Sequence, residues 1–383
     1  MKKSKVILFS RDPGGANTVI PLYDPLCSKG YDVTLFGKDI ALQKYAAAGL
    51  VGEDIMTRIH SVDLASIRSF LLAEKPDLMI TGTSADDFCE KYLWKTAEEL
   101  GLTSFAILDQ WINYGVRFSE FSCSQAEESL KFRKYLYLPR KICVMDELAR
   151  QEALDEGLPA DRLVVTGQPH LQALAARQSA DKEQSASVRS AYGVDARACL
   201  VVFASEPIAE GWGGRTPYFG YTELSVLAHL VSALDVIAAS MQQSIVLVVR
   251  PHPREDVAKF KKVGLLVSDK IKVVISSEHS SDDLIQASDI VCGMSSMFLL
   301  ESVVWRRPTV SIQIGLKGKS LFVLDRSNIL KSALDQEQLV QMLSTILLGK
   351  EYVPPCLGFI GDPVKNIITL VASCVASAHA EVQ

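Results

Sequence analysis

Residues 5–29, KVILFSRDPGGANTVIPLYDPLCSK, join a short apolar run to a polar stretch with paired glycines and then to an apolar periodic segment. The run KVILFS (5–10) predicts a β-strand, RDPGGAN (11–17) a loop, and Thr18 to Lys29 a helix that tolerates its prolines. The unit is therefore β-loop-α. Outward from it the same grammar repeats. YDVTLFG (31–37), DLMITG (77–82), TSFAILD (103–109), KICVMD (141–146) and RLVVTG (162–167) read as strands, with helices at Ala65–Glu74 and Asp86–Leu100. Short apolar strands alternating with helices predict a parallel sheet covered on both faces.

From Leu171 to Asp195 the chain turns polar and loses strand patterning, which predicts a passage between domains. A second series follows, with strands at 198–205, 244–253, 270–277, 289–294 and 308–314 and helices at 222–241, 281–287 and 296–305. The expected fold class is α/β, with two Rossmann-like domains facing each other across a ligand cleft. The expected boundaries are 1–170, 171–360 and a terminal helix segment, 361–383, that returns to the first domain. A single sheet of about a dozen strands is the less economical alternative.

The chain has 383 residues, 48% of them hydrophobic and 22% charged, enough to bury two cores. Its net charge of −5 gives no overall field for a nucleic-acid backbone or an anionic membrane, although local basic patches are compatible with it. The eight cysteines have no zinc spacing and read as reduced thiols. VILF is too short for a signal-peptide core, and no apolar stretch reaches about 18 residues, so the expected location is cytoplasmic with no transmembrane segment.

In open parallel sheets ligands bind beyond the carboxyl ends of the strands, and four polar groups stand there. Gly14, Gly15 and Asn17 in RDPGGAN would offer backbone amides to an anion or simply make a tight turn; the loop is neither GxGxxG nor a Walker A sequence. Arg250, His252 and Arg254 in RPHPR concentrate cationic donors on a stiff turn, suited to phosphate. Ser295 and Ser296 in GMSSMFLLE open a helix whose N-terminus can hold a phosphate, and Glu301 lies within reach of a ribose hydroxyl. Glu206, after the strand FAS, is placed either to touch base or ribose or to cap a helix, and GWGG (211–214) reads as a flexible loop. In the first domain Asp109 is the first choice of base for an acceptor hydroxyl, with Asp12 and Asp86 competing. Trp111, Tyr114, Trp212 and Tyr218 are candidates for a sugar-stacking surface or for core packing.

RPHP, then DDLI at 282–285, then SDIVCGMSSMFLLESVVWRRPTVSI resembles the nucleotide-binding half of GT-B proteins. Similar arrangements occur in bacterial capsule and polysialic-acid-type transferases, CDP-glycerol glycerophosphotransferases and UDP-N-acetylglucosamine 2-epimerases. RLVVTGQPHLQAL, after KICVMDELARQEALDEGL, is similar to that superfamily's interdomain crossing. The resemblance implies that Arg250, His252, Ser295 and Ser296 bind nucleotide phosphates and Glu301 the ribose. It also implies a glycosyltransferase carrying a sugar from a nucleotide-activated donor to a carbohydrate or other hydroxyl acceptor in polysaccharide biosynthesis. His252 joins Asp109 and Asp12 as a catalytic candidate.

Epimerisation is the alternative, since LDQWINYG stands where a hydrolysing epimerase has an HVEAGLR-like segment. CDP-glycerol-type phosphotransfer is a further alternative, although CGMSS stands where such an enzyme has a DYSS-like turn, which leaves the donor unassigned; a non-catalytic nucleotide-sugar binder is the remaining one. Without a DxD motif at a strand end, no metal or other cofactor is expected, the donor being substrate. No nucleic-acid partner is expected, and oligomeric state is left open.

Overall fold

The computed structural model describes residues 3–177, 182–195, 197–211, 220–265, 268–349, 352–355, 357–358 and 361–380. The chain divides into unit 1, Met1–Ala173 with Gly358–Gln383, and unit 2, Leu174–Leu357.

In unit 1 the strands are β1 (Lys5–Ser10), β2 (Asp32–Gly37), β3 (Glu53–Asp54), β4 (Leu78–Thr81), β5 (Thr103–Ile107), β6 (Lys141–Val144) and β7 (Leu163–Val165). They pair in the order β3-β2-β1-β4-β5-β6-β7, every pair parallel. Alternation along β1 splits its side chains between two cores. Val6 and Leu8 pack with Ala16, Val19 and Leu22, while Ile7 and Phe9 pack with Ile67, Phe70 and Leu93. Each buried Val, Leu, Ile or Phe among them contributes about 1.5–3 kcal/mol relative to exposure.

The first of these cores also takes Ile367 and Val371 from the C-terminal helix Pro363–Ala380. That helix is tied at its start, where Gln172 donates to Asp362 (2.9 Å) and accepts from the Val364 amide (3.1 Å), and Asn366 donates to the Thr166 carbonyl (3.0 Å).

Unit 2 holds β8 (Ala198–Ala204), β9 (Ser244–Arg250), β10 (Ile271–Ile275), β11 (Ile290–Gly293) and β12 (Thr309–Ser311). Their order is β10-β9-β8-β11-β12, again all parallel. The helix Glu223–Ser240 is long and apolar enough to cross a membrane by length and composition, but Val226, Leu230, Leu234 and Ile237 lie in the unit 2 core. A Thr222/Ser225 capping box starts it.

Three expectations need correction. The first helix begins at Pro13, so Gly14, Gly15 and Asn17 are helical and not in a loop. Pro13 occupies the first helical position, where its missing N–H costs nothing, and the Ala16 amide bonds the Asp12 carbonyl (2.9 Å). The polar passage 171–195 contains the helices Pro169–Ala176 and Lys182–Tyr192, the second burying Val188 and Tyr192 in a core of unit 2. The expected GWGG loop begins with Gly211 at the end of the helix Ile208–Gly211; Trp212 and Tyr218 lie outside the described residues.

Glycine is required where the first helix meets the end of β4. A Cβ on Gly82 would stand 2.5 Å from the Gly15 Cα and 3.0 Å from its carbonyl carbon, so the two backbones touch. Gly82→Ala is expected to cost about 1–3 kcal/mol through overpacking, read as a lower midpoint in urea with an unchanged m-value.

Candidate functional site

In each unit the strand order reverses beside the first strand, between β1 and β4 and between β8 and β11. Neighbouring connections there run to opposite sides of the sheet and leave the carboxyl ends open, the place where such folds hold ligands.

In unit 1 this edge presents Arg11 and Asp12 after β1 and Gly82-Thr83-Ser84 after β4. Asp12 occupies the N-cap position of the first helix but its side chain makes no capping bond. Burial pushes its pKa up, with Asp109 adding to the rise, while Ser84, Arg11 and Arg117 draw it down. Arg11 is already balanced, 2.9 Å from Asp12, 2.7 Å from Asp39 and 3.6 Å from Asp87, which Lys38 also meets at 2.6 Å.

Asp109 is differently placed. Its Oδ1 lies 2.8 Å from Arg117 Nη1, and a Cβ on Gly14 would fall 1.8 Å from its Oδ2, so the carboxylate lies directly against the start of the first helix. Arg117 in turn donates to Thr83 Oγ1 at 2.6 Å and to the Asn113 carbonyl at 3.1 Å. The geometry makes Asp109 an anchor and leaves Asp12 the more accessible carboxyl of the two. Asp86 accepts from the Cys123 amide at 2.8 Å and serves the loop. Asn17 is half-buried on the first helix.

Trp111 and Tyr114 are 3% and 2% exposed and bond Asp146 (2.8 Å) and Glu152 (2.9 Å), which corrects their candidacy as a sugar-stacking surface. Their polar tips have found partners inside the protein.

The unit 2 edge carries Ser205-Glu206 after β8 and Met294-Ser295-Ser296 after β11. Ser296 is the N-cap of the helix Met297–Val304 but makes no side-chain cap, and its hydroxyl is buried without a partner. Glu206 takes over. Its carboxylate accepts from the Ser295 amide (2.6 Å), the Ser295 hydroxyl (3.0 Å) and the Ser296 amide (3.0 Å). Burial raises its pKa and these donors oppose the rise. A side-chain anion thus occupies the amides that the sequence assigned to phosphate, and of the two sequence readings of Glu206 the structure places it as a cap. Behind the turn, Ser311 donates to the Met294 carbonyl at 2.6 Å and fixes its path.

At the end of β9, Arg250 donates to the His279 carbonyl (2.8 Å) and lies 5.4 Å from the Phe298 ring centroid. Burial lowers its pKa, and the charge of Glu301, itself 8% exposed, opposes that. His252 is held down to about 4 by burial and by Arg254, so it is neutral near pH 7. Its Nδ1 accepts from the Arg254 amide (3.2 Å), which assigns the ring proton to Nε2 and makes that atom a donor. Arg254 itself is exposed.

The turn is fastened by a residue the sequence reading passed over. Glu255 accepts from the His252 amide (2.5 Å) and the Ser205 hydroxyl (2.7 Å) and meets Lys259 at 2.8 Å. Lys259 also meets Glu210 (2.8 Å) and Glu223 (2.6 Å), filling the centre of that carboxylate cluster. A pocket of about 360 Å³ opens beside Pro251, lined by Tyr192, Val257, Ile275, Ser276 and Glu278.

No protein-family model matches the chain, and no curated protein matches it by sequence. Solved structures do. A UDP-GlcNAc 2-epimerase from Methanocaldococcus jannaschii superposes with a TM-score of 0.67 at 14% identity, over 96% of this chain and 99% of that one. One from Neisseria meningitidis, bound to UDP-GlcNAc, gives 0.67 at 13% identity over 96% and 100%. A glycosyltransferase from Rickettsia africae ESF-5 gives 0.60 at 12% identity over 98% and 94%. The chain has the GT-B-type fold of these proteins.

One carboxyl near the unit 1 edge was not anticipated. Glu90, in the first turn of the helix Cys89–Glu99, is fully buried, and neither oxygen has a partner beyond its own backbone amide. Burial, with Asp12 and Asp87 nearby, pushes its pKa up to about 8, so it is protonated at pH 7. The unfolded chain releases this proton near pH 4.5 and the folded chain near 8, so Glu90 costs stability as pH rises through that window. Glu90→Gln is expected to match wild type at pH 4 and to exceed it by roughly 1–4 kcal/mol at pH 8.5 in urea unfolding.

Proposed function

We propose that the chain binds a nucleotide-activated sugar through unit 2 and transfers the sugar to an acceptor hydroxyl. One observation carries this reading. At the β8–β11 edge two helix-terminal amides and a hydroxyl already hold an oxyanion, the carboxylate of Glu206. Donors arranged for a carboxylate also suit a phosphate oxygen, and a bound phosphate would take the place of Glu206. Arg250 and the Nε2–H of neutral His252 add donors at the neighbouring strand end, and the pocket beside Pro251 is the proposed seat of the base.

Breaking the anomeric bond leaves negative charge on the departing phosphate. Guanidinium, imidazole N–H and backbone amides aimed at those oxygens stabilise that charge without requiring a metal. In unit 1, Asp12 is proposed as the base that takes the acceptor's proton, because it is the more accessible carboxyl, its side chain makes no capping bond and burial raises its pKa. Arg117 and Asp109 hold the loop beside it.

Epimerisation of the donor is the second reading, favoured by the solved structures of the same fold that are UDP-GlcNAc 2-epimerases. Products separate the two. Incubation with UDP-GlcNAc alone, followed by NMR, gives a C2 epimer in one case and an unchanged donor in the other. A product appearing only with a hydroxyl acceptor supports transfer. No change with any UDP-, GDP-, CDP- or CMP-sugar, and no binding of the free nucleotides, rejects both.

Arg250→Ala is expected to weaken nucleotide binding by about 2 kcal/mol, roughly thirtyfold, in calorimetry. Glu206→Gln, which removes the competing anion, is expected to tighten it several-fold; weaker binding would place the phosphate elsewhere. Asp12→Asn is expected to lower kcat about 10²–10⁴-fold with little change in KM.

A further inference from the structure

LKFRKYLYLPR, residues 130–140, carries four cations and no acid, in a chain whose net charge is −5. It leaves the helix Ala126–Phe132 through Arg133, which takes the left-handed conformation (φ 49°) normally given to glycine at a helix end. The stretch is held firmly on one side. Tyr135 donates to the Glu156 carbonyl, the Tyr137 amide bonds the Phe118 carbonyl (3.1 Å), and the Tyr137 ring packs edge-on against Phe88 and Tyr92. Pro139 is buried.

The other side faces solvent. Tyr135 and Tyr137 turn inward and their neighbours Lys134 and Leu136 turn outward, as extended chain alternates. Phe132 is 61% exposed, Leu130 42% and Leu136 38%. Phe132 stacks on Phe121 at 5.9 Å instead of entering the core. Lys131, Lys134 and Arg140 are exposed with them, and among the described residues no carboxylate lies within ion-pair distance of these or of Arg133. Glu127 and Glu128, in the first turn of the same helix, are not paired with them either.

We propose that this face docks unit 1 on an anionic lipid bilayer. The cations match lipid phosphates, and Phe132, Leu130 and Leu136 gain from entering the acyl boundary, where a nucleic acid would offer the two leucines no apolar contact. Unpaired cations beside exposed apolar side chains are the combination that an interfacial anchor uses, since each attraction alone is weak. The activity proposed above plays no part in this inference.

The test is sedimentation of the full chain with vesicles of phosphatidylcholine, alone or mixed with phosphatidylglycerol, at low and high salt. Binding should be at least about tenfold stronger on the anionic vesicles and fall at high salt. Phe132→Ser, and separately Lys131→Glu with Lys134→Glu, should each reduce it about tenfold or more while the circular dichroism spectrum and melting temperature stay as in wild type. Equal binding to both vesicles, no binding to either, or binding indifferent to both variants overturns the proposal. So does light scattering that shows a dimer abolished by Phe132→Ser, or an RNA oligonucleotide bound where vesicles are not.

Discussion

Everything in this molecule hangs on parallel strand pairing with a reversal of order beside the first strand of each sheet. Parallel strands all end at the same edge, so the residues that follow them gather there whatever their separation in sequence. Right-handed crossovers then send the connections on either side of the first strand to opposite faces. The edge at the reversal is left uncovered, and each unit fills it with ionisable and hydroxyl side chains over an apolar sheet.

The two units answer this constraint with the same device and different detail. After the first strand of each comes a carboxylate, Asp12 or Glu206, and across the reversal come hydroxyl residues, Thr83-Ser84 or Ser295-Ser296. Glu206 reaches across fully and collects three donors; their pull keeps a buried carboxylate tenable against the desolvation that raises its pKa. Asp12 collects less and stays accessible. A filled anion site in one unit and, in the other, a carboxyl that makes no capping bond and meets Arg11 are the chemical basis for proposing phosphate handling by unit 2 and proton transfer by unit 1.

The strands were readable because a buried parallel strand is a short apolar run, and all five strands expected in unit 2 appear, each ending short of its predicted limit, β9 and β12 by the most. What failed were places where tertiary contact overrides local preference. Pro13-Gly14-Gly15 looks like a breaker, yet the chain is helical there because Gly15 must lie against Gly82 and Gly14 against Asp109. Two-residue β3 leaves no periodic trace, and the helices Ile40–Ala47, Glu147–Asp155 and Gln336–Leu347 were not anticipated. The polar segment before β8 hides a helix whose apolar content is little more than Val188 and Tyr192.

The candidate site was legible by residue type and not by pairing. Arginines, serines and acids at strand ends can be listed from sequence, but which acid meets which donor depends on a reach across strands far apart in the chain, 89 residues for Glu206 and Ser295. Glu255 shows the same limit, since nothing in its sequence context marks it as the residue that ties the RPHPR turn to Ser205 and Lys259. Its effect is to separate roles within that turn. With the backbone and the nearby ammonium satisfied by Glu255, no carboxylate among the described residues bonds the His252 ring, and burial beside Arg254 keeps it neutral. A neutral ring can donate to an anion without first bringing a charge out of water, so in the proposed function this turn would serve an oxyanion over a pH range wide enough that ordinary histidine titration would not switch it off.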